Sequence, residues 1–151
     1  MKKEIIDDDQ LHFDPNLYVV DDLYIDKIAP NTNIVDFIDN LNTNGNVTIT
    51  DSKGNVLDNE DSTIIIGSGV TVNIEKNGTT IEKTAIVTGD YNGDGVISIS
   101  DVSVVNKYFL GGVPESEYRT RICDVTGDGI ITISDVSKLN RYYLGLIPKL
   151  V

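Results

Sequence analysis

The sequence predicts two small domains of different class: a β-rich N-terminal unit, sandwich-like or α+β with one short helix, over residues 17–88, and an all-α unit of two loop-helix repeats over residues 89–151. Three observations predict them. Apolar residues alternate in short runs before residue 88 and recur at spacings of three and four after it. A stretch starting at Asp90 returns in register 34 residues later, at Asp124. Charge also changes character, since residues 1–89 carry 16 acidic and 6 basic side chains while residues 90–151 carry 8 and 6.

Residues 1–16 are polar and acidic and read as a loose leader that docks late or not at all. Leu17 to Val20 and Leu23 to Ile28 then read as strands, the second closed by Pro30, which cannot donate to a ladder. Thr32 or Asn33 caps a short helix with Ile34, Val35, Phe37, Ile38 and Leu41 on its apolar side, before the turn-forming run from Asn42 to Asn46 stops it. Val47 to Thr50 alternates, Asp51 to Asn55 turns, and Val56-Leu57 begins a return. Thr63 to Ile66, Val70 to Glu75 and Thr80 to Val87 are further strands. They are separated by Gly67-Ser68-Gly69 and by Asn77-Gly78, a type I′ hairpin signal.

The repeat is a loop plus the helix that leaves it. Ile99-Ser100-Asp101-Val102-Ser103 returns as Ile133 to Ser137, and Asn106 to Gly111 returns conservatively as Asn140 to Gly145. Val102, Val105 and Phe109, then Val136, Leu139 and Tyr143, give each helix one apolar stripe. Pro114 opens a short helix through Glu115 to Arg121 ahead of the second loop, whereas strand-like Thr84 to Val87 runs straight into the first.

Each loop, Asp90 to Asp101 and Asp124 to Asp135, has oxygen-bearing side chains at positions 1, 3, 5, 9 and 12, glycine at 6 and an aliphatic residue at 8. That order of parts is what an oxygen cage for Ca²⁺ needs, because glycine permits the turn that points successive carboxylates inward. Six of the eight acids after residue 89 lie in these loops, so the unit is expected to fold only with metal, and two Ca²⁺ would move its net charge from −2 to +2. Both loops end in Asp, shorter than the Glu of a calcium sensor, which suits a static structural site.

Other functions are argued against by what the chain contains. A net charge of −12 disfavours nucleic acid. No apolar run approaches the roughly 20 residues of a membrane span, and Met1-Lys2-Lys3 leads into acids, so the chain reads as a mature fragment. The acid runs Asp7-Asp8-Asp9 and Asp21-Asp22 are adjacent residues whose side chains diverge, which does not make a glycosidase pair. His12 is the sole histidine and reads as a surface residue, so no catalytic triad or zinc site can be built, and Cys123, the sole cysteine, reads as a buried filler. The chain is read as non-catalytic.

Gly-Asp-x-Asn-x-Asp-Gly-x-Ile at 89–97, paired with Asp-x-x-x-Asp-Gly-x-Ile at 124–131, resembles the dockerin modules of cellulosomes and related bacterial surface assemblies. The resemblance implies that Asp90, Asn92, Asp94 and Asp101 coordinate one Ca²⁺ by side chain, with the Val96 carbonyl and with Ser98 through water. A second Ca²⁺ would take Asp124, Thr126, Asp128 and Asp135, with the Ile130 carbonyl and Thr132. Thr126 departs from the usual Asn or Asp, so the second site is expected to be weaker or to recruit a water. The implied partner is a cohesin module in an extracellular complex, met by Ile99, Ser100, Ser103, Lys107 and Leu110 in one repeat and Ile133, Ser134, Ser137, Arg141 and Leu144 in the other. For Ile99 and Ile133 the other reading is burial beneath the loops. Because the two sets nearly coincide after a half-turn, two alternative binding orientations are expected, with Val104 against Lys138 and Gly112 against Leu146 as the asymmetric pairs.

Residues 17–88 resemble, more loosely, the X module that often precedes a dockerin. Tyr24-Ile25-x-x-Ile28-x-Pro30-x-Thr32, Phe37, Val47-x-Ile49-x-Asp51-x-x-Gly54, Gly67-x-Gly69 and Ile86-Val87-x-Gly89-Asp90 carry that likeness. It implies a companion that packs on the dockerin and stabilises it. Two competing readings are a calcium-dependent carbohydrate-binding module using Tyr18 or Tyr24 as stacking platforms, and a calcium sensor, which needs a helix before both loops.

Overall fold

A computed structural model of the chain describes residues 9–151; Asp7, Asp8 and the first half of the predicted leader lie outside the described residues. The remainder of that leader does not hang loose. The Nδ2 amides of Asn44 and Asn77 donate to the carbonyls of Gln10 and Asp9, the Asp14 N–H donates to Asn42 O at 3.2 Å, and Phe13 bridges Thr43 and packs on the core. Leu11 and Phe13 supply the apolar anchor that a purely compositional reading of this acidic segment overlooks.

Among the described residues five strands make one mixed sheet: β1 (Val19–Val20), β2 (Tyr24–Ile28), β3 (Asn46–Thr50), β4 (Thr71–Lys76) and β5 (Thr79–Val87), in the order β1-β2-β5-β4-β3. Only β2 and β5 run parallel; the other neighbours are antiparallel. Asn77 and Gly78 both have positive φ, 50° and 84°, as the type I′ turn between β4 and β5 requires. The expected strand at Thr63 to Ile66 is absent. Ile64 and Ile66 instead bond to Ile34 and Thr32, so this segment ties the start of the helix rather than joining the ladder. With no second sheet among the described residues, the unit is α+β rather than a sandwich.

Helix α1 (Ile34–Asn40) starts where Asn33 Oδ1 accepts the Asp36 N–H at 2.9 Å, and its apolar spacing carries Ile34, Phe37 and the C-cap Leu41 inward. They meet Ile25, Ile28, Ile49, Val72, Ile74, Ala85 and Val87 from the sheet. Burying Phe37 contributes about 2–3 kcal/mol, and truncating it to alanine would cost about 3–5 kcal/mol with the cavity left behind.

Three helices form the C-terminal unit: α2 (Ile99–Phe109), α3 (Glu117–Cys123) and α4 (Ile133–Tyr143). Helices α2 and α4 pack on each other over Val102, Val105, Tyr108, Cys123, Val125 and Leu139. Tyr108 is buried and Tyr142 half-buried, whereas the predicted stripe residues Phe109 and Tyr143 face outward. The stripe turns by a step of three after Val105 and Leu139, not four. Helices α2 and α4 end in the same glycine turn, with the Gly112 N–H donating to Lys107 O and the Leu146 N–H to Arg141 O, both at 2.8 Å.

The two units share strand β5. Ala85 and Val87 point into the sheet core, so alternation turns Ile86 to the opposite face, where β5 meets α3. Ile86 and Ile122 are both fully buried. Across the same junction Tyr24 stacks on Tyr118 with ring centroids 6.5 Å apart.

Candidate metal centre and partner face

Each acidic loop is folded around its first carboxylate. Asp90 Oδ1 accepts the N–H groups of Gly93 and Asp94 at 3.1 and 3.2 Å, and its Oδ2 accepts that of Gly95 at 2.9 Å. Asp124 does the same with Gly127, Asp128 and Gly129 at 3.0, 3.2 and 2.9 Å. These turns use positive φ at the sixth loop position, 78° at Gly95 and 83° at Gly129, which explains the glycine there.

The twelfth-position carboxylate closes the loop and starts the helix. Asp101 Oδ1 accepts the Tyr91 and Asn92 N–H groups while its Oδ2 accepts that of Ser98 at 2.9 Å, the N-cap of α2. Asp135 repeats this with Thr126 and with Thr132, the N-cap of α4. One short side chain thus couples loop geometry to helix geometry, and a negative group in the first helical turn is favoured there.

Carboxylate oxygens of Asp90, Asp94 and Asp101 lie within 4.8 Å of one another, as do those of Asp124, Asp128 and Asp135. Oxygens on opposite sides of a bound Ca²⁺ lie about 5 Å apart, twice a Ca–O distance of roughly 2.3–2.6 Å, so both triads fit an ion of that size. None of the six has an ion pair among the described residues. Burial pushes the Asp90 carboxyl up to about 6, with Asp101 and Asp94 adding to the rise and the Ser68 and Gly95 N–H groups working against it. A divalent cation shared by the three carboxylates would offset the same penalty and compete with the proton.

The other predicted ligands are placed less uniformly. Asn92 lies beside Asp94, its Nδ2 3.4 Å from Oδ2, and the Ser98 hydroxyl is directed to Asp101. Thr126 gives its hydroxyl to Asp135 Oδ1 at 2.9 Å, and the Thr132 hydroxyl accepts the Ser134 N–H. Val96 and Ile130 sit at the seventh loop position with exposed side chains, their N–H groups bonded to Asp94 and Asp128 at 3.0 Å.

All ten predicted partner-face residues are exposed: Ile99, Ser100, Ser103 and Lys107 on α2 with Leu110 at its C-cap, and Ile133, Ser134, Ser137 and Arg141 on α4 with Leu144 at its C-cap. Burial beneath the loops does not occur, since Ile99 and Ile133 are each 58% exposed. Neither tyrosine offered as a sugar platform is free. Tyr18 is buried against Phe37, and the Tyr24 ring is in contact with both Tyr118 and the Arg121 guanidinium. Cys123 is fully buried, its thiol pushed up to about 12 by burial, and His12 is exposed. Ser68 is a participant the motif reading missed: its N–H donates to Asp90 Oδ2 at 2.8 Å from the other unit. The Gly67-Ser68-Gly69 run read only as a turn.

Residues 88–144 match the family model described as "Dockerin type I domain". These residues are a dockerin module. A chain in the crystal structure of a type I cohesin-dockerin complex from Clostridium thermocellum is 35% identical, the match covering 42% of this chain and 93% of that one with a TM-score of 0.39. No curated protein matches significantly. The dockerin module therefore begins at the last residues before Asp90 and takes in both acidic triads and all three C-terminal helices, and no helix among the described residues is long and apolar enough to cross a membrane.

Proposed function

We propose that this chain is a non-catalytic, calcium-dependent adhesive unit whose dockerin module binds a cohesin and so tethers its parent protein into a cellulosome-like extracellular complex. Two Ca²⁺ ions are held, one by Asp90, Asn92, Asp94, Asp101 and the Val96 carbonyl with Ser98 through water, the other by Asp124, Thr126, Asp128, Asp135 and the Ile130 carbonyl with Thr132. The N-terminal unit acts as an X module that stabilises the dockerin.

The observation that carries this reading is the coupling of each carboxylate triad to the start of a helix whose outer face is exposed, with an isoleucine at its first turn and a leucine at its C-cap. A cation at the triad orders the loop, the loop fixes the helix, and the helix presents Ile at one end and Leu at the other with hydroxyls and one cation between, a mixed apolar and polar surface suited to a protein interface. The sensor alternative lacks a helix before the first loop among the described residues, where β5 runs directly into Asp90.

Native electrophoresis against a panel of cohesins tests it. A calcium-dependent shift with at least one cohesin, lost in chelator, is expected; no shift with any, or one indifferent to chelator, contradicts the proposal.

A further inference from the structure

We infer that the N-terminal unit forms one wall of the first calcium site, making loop 1 the tighter of the two, so that its ion and the docking of the units stabilise each other while loop 2 fills independently. This rests on the calcium reading above. It is carried by a difference between two loops whose own sequences are nearly the same.

Asp90 and Asp124 each receive three N–H groups from their own loop, but only Asp90 receives a fourth, from Ser68 at 2.8 Å. That donor is held in place by its own unit. The Ser68 hydroxyl donates to Val87 O at 3.0 Å and accepts the Val87 N–H at 2.9 Å, pinning the donor to the end of the strand that leads into Asp90. Asp90 Oδ2 thus holds two donors where Asp124 Oδ2 holds one; the more firmly held carboxylate loses less freedom when it becomes a ligand, and such outer partners typically govern metal affinity by about 10–100-fold.

The backbones of the two units also touch at loop 1. A Cβ on Gly67 would stand 1.9 Å from Gly93 O, and one on Gly95 would stand 2.4 Å from Ile66 O, distances no side chain tolerates. The Asn31 N–H donates to Gly95 O at 2.8 Å. Loop 2 has nothing equivalent. A Cβ on Gly129 meets nothing within 4 Å, and one on Gly127 meets only the end of Lys27, 3.5 Å from Nζ. The N-terminal unit brings to loop 2 the open cleft lined by Lys27 and by Asp26, the latter already paired with Arg121, whereas to loop 1 it brings a donor and a close-packed wall. By reciprocity, an ion that holds loop 1 closed also holds the surface against which Gly67 and Ile66 are packed.

The test uses the full chain. Calcium titration by calorimetry is run with loop 2 silenced by Asp128→Ala, then with loop 1 silenced by Asp94→Ala, each with and without Gly67→Ala. Gly67→Ala should weaken loop 1 by about 10–100-fold and change loop 2 by less than about twofold. Exchange of the Ser68 amide gives a second readout that leaves the N-terminal unit unaltered. In saturating calcium, Asp94→Ala should speed it by at least about tenfold, and Asp128→Ala should not. Equal weakening of both loops by Gly67→Ala, no weakening of either, or identical Ser68 exchange in the two loop variants overturns the inference alone. A parent chain that binds no calcium overturns the calcium reading with it.

Discussion

The guanidinium of Arg121 lies over the ring of Tyr24, its central carbon 4.7 Å from the centroid, and joins α3 of the dockerin module to β2 of the N-terminal unit. The same group pairs with Asp21, with Asp26 at 3.2 Å and with Glu117 at 3.0 Å. Asp26 is buried, so it depends on that cation more than its exposed neighbours do.

Arg121→Ala should therefore destabilise the calcium-loaded chain by about 2–3 kcal/mol, most of it from leaving Asp26 buried without its counter-charge. Arg121→Lys should recover only part, because an ammonium cannot both lie flat on Tyr24 and fork between carboxylates. Urea unfolding followed by far-ultraviolet circular dichroism measures both. An Arg121→Ala midpoint equal to that of the parent would contradict the account.

Asp90 sets a pH dependence that changes sign with metal. Its folded carboxyl is raised from 3.8 to about 6 by burial and neighbouring charge. In chelator that contribution is complete below about pH 4 and is lost as pH rises through about 6, a span worth roughly 3 kcal/mol. In excess calcium the ion replaces the proton, and loop 1 affinity should fall as pH drops below about 6. Melts across this range should slope downward with pH in EDTA and upward in calcium; parallel slopes would rule out Asp90 as the responsible group.

Thr126→Asn should tighten the second site by about tenfold, since a carboxamide reaches further toward the triad than a hydroxyl engaged with Asp135 Oδ1. Calcium calorimetry reads this directly, and an unchanged second dissociation constant would show that Thr126 lies outside the coordination sphere.

Near-repetition of the partner face predicts two binding orientations. Replacing Ile99 and Lys107 with alanine should leave cohesin binding through Ile133 and Arg141, and only the fourfold variant should lose it. Abolition by the first pair alone would establish a single mode. Val104 against the half-buried Lys138, whose Nζ reaches Val125 O at 3.3 Å, is a built-in difference between the halves that can bias the choice.

Local rules read well from the chain where one residue type has one use. Asn33 at the helix start, Asn77-Gly78 at the hairpin and the glycines at 95 and 129 all sit where backbone chemistry alone demands them. The acidic triads were legible for the same reason, because carboxylates at fixed spacing around a tight turn have few other arrangements. Long-range pairing was not. Thr63 to Ile66 has strand composition but finds only the helix entrance to pair with, and Leu11 and Phe13 dock an otherwise polar leader. The role of Gly67-Ser68-Gly69 depends on what faces it across the junction, and nothing in its own composition marks that.

Far-ultraviolet circular dichroism of the full chain at neutral pH, in saturating calcium and then in excess EDTA, tests the claim that divalent metal organises the dockerin module. The account predicts that chelation removes the larger part of the helical signal, which α2, α3 and α4 supply together with the short α1, and lowers the melting temperature by at least about 10 °C. A helical spectrum and melting temperature unmoved by EDTA would contradict it.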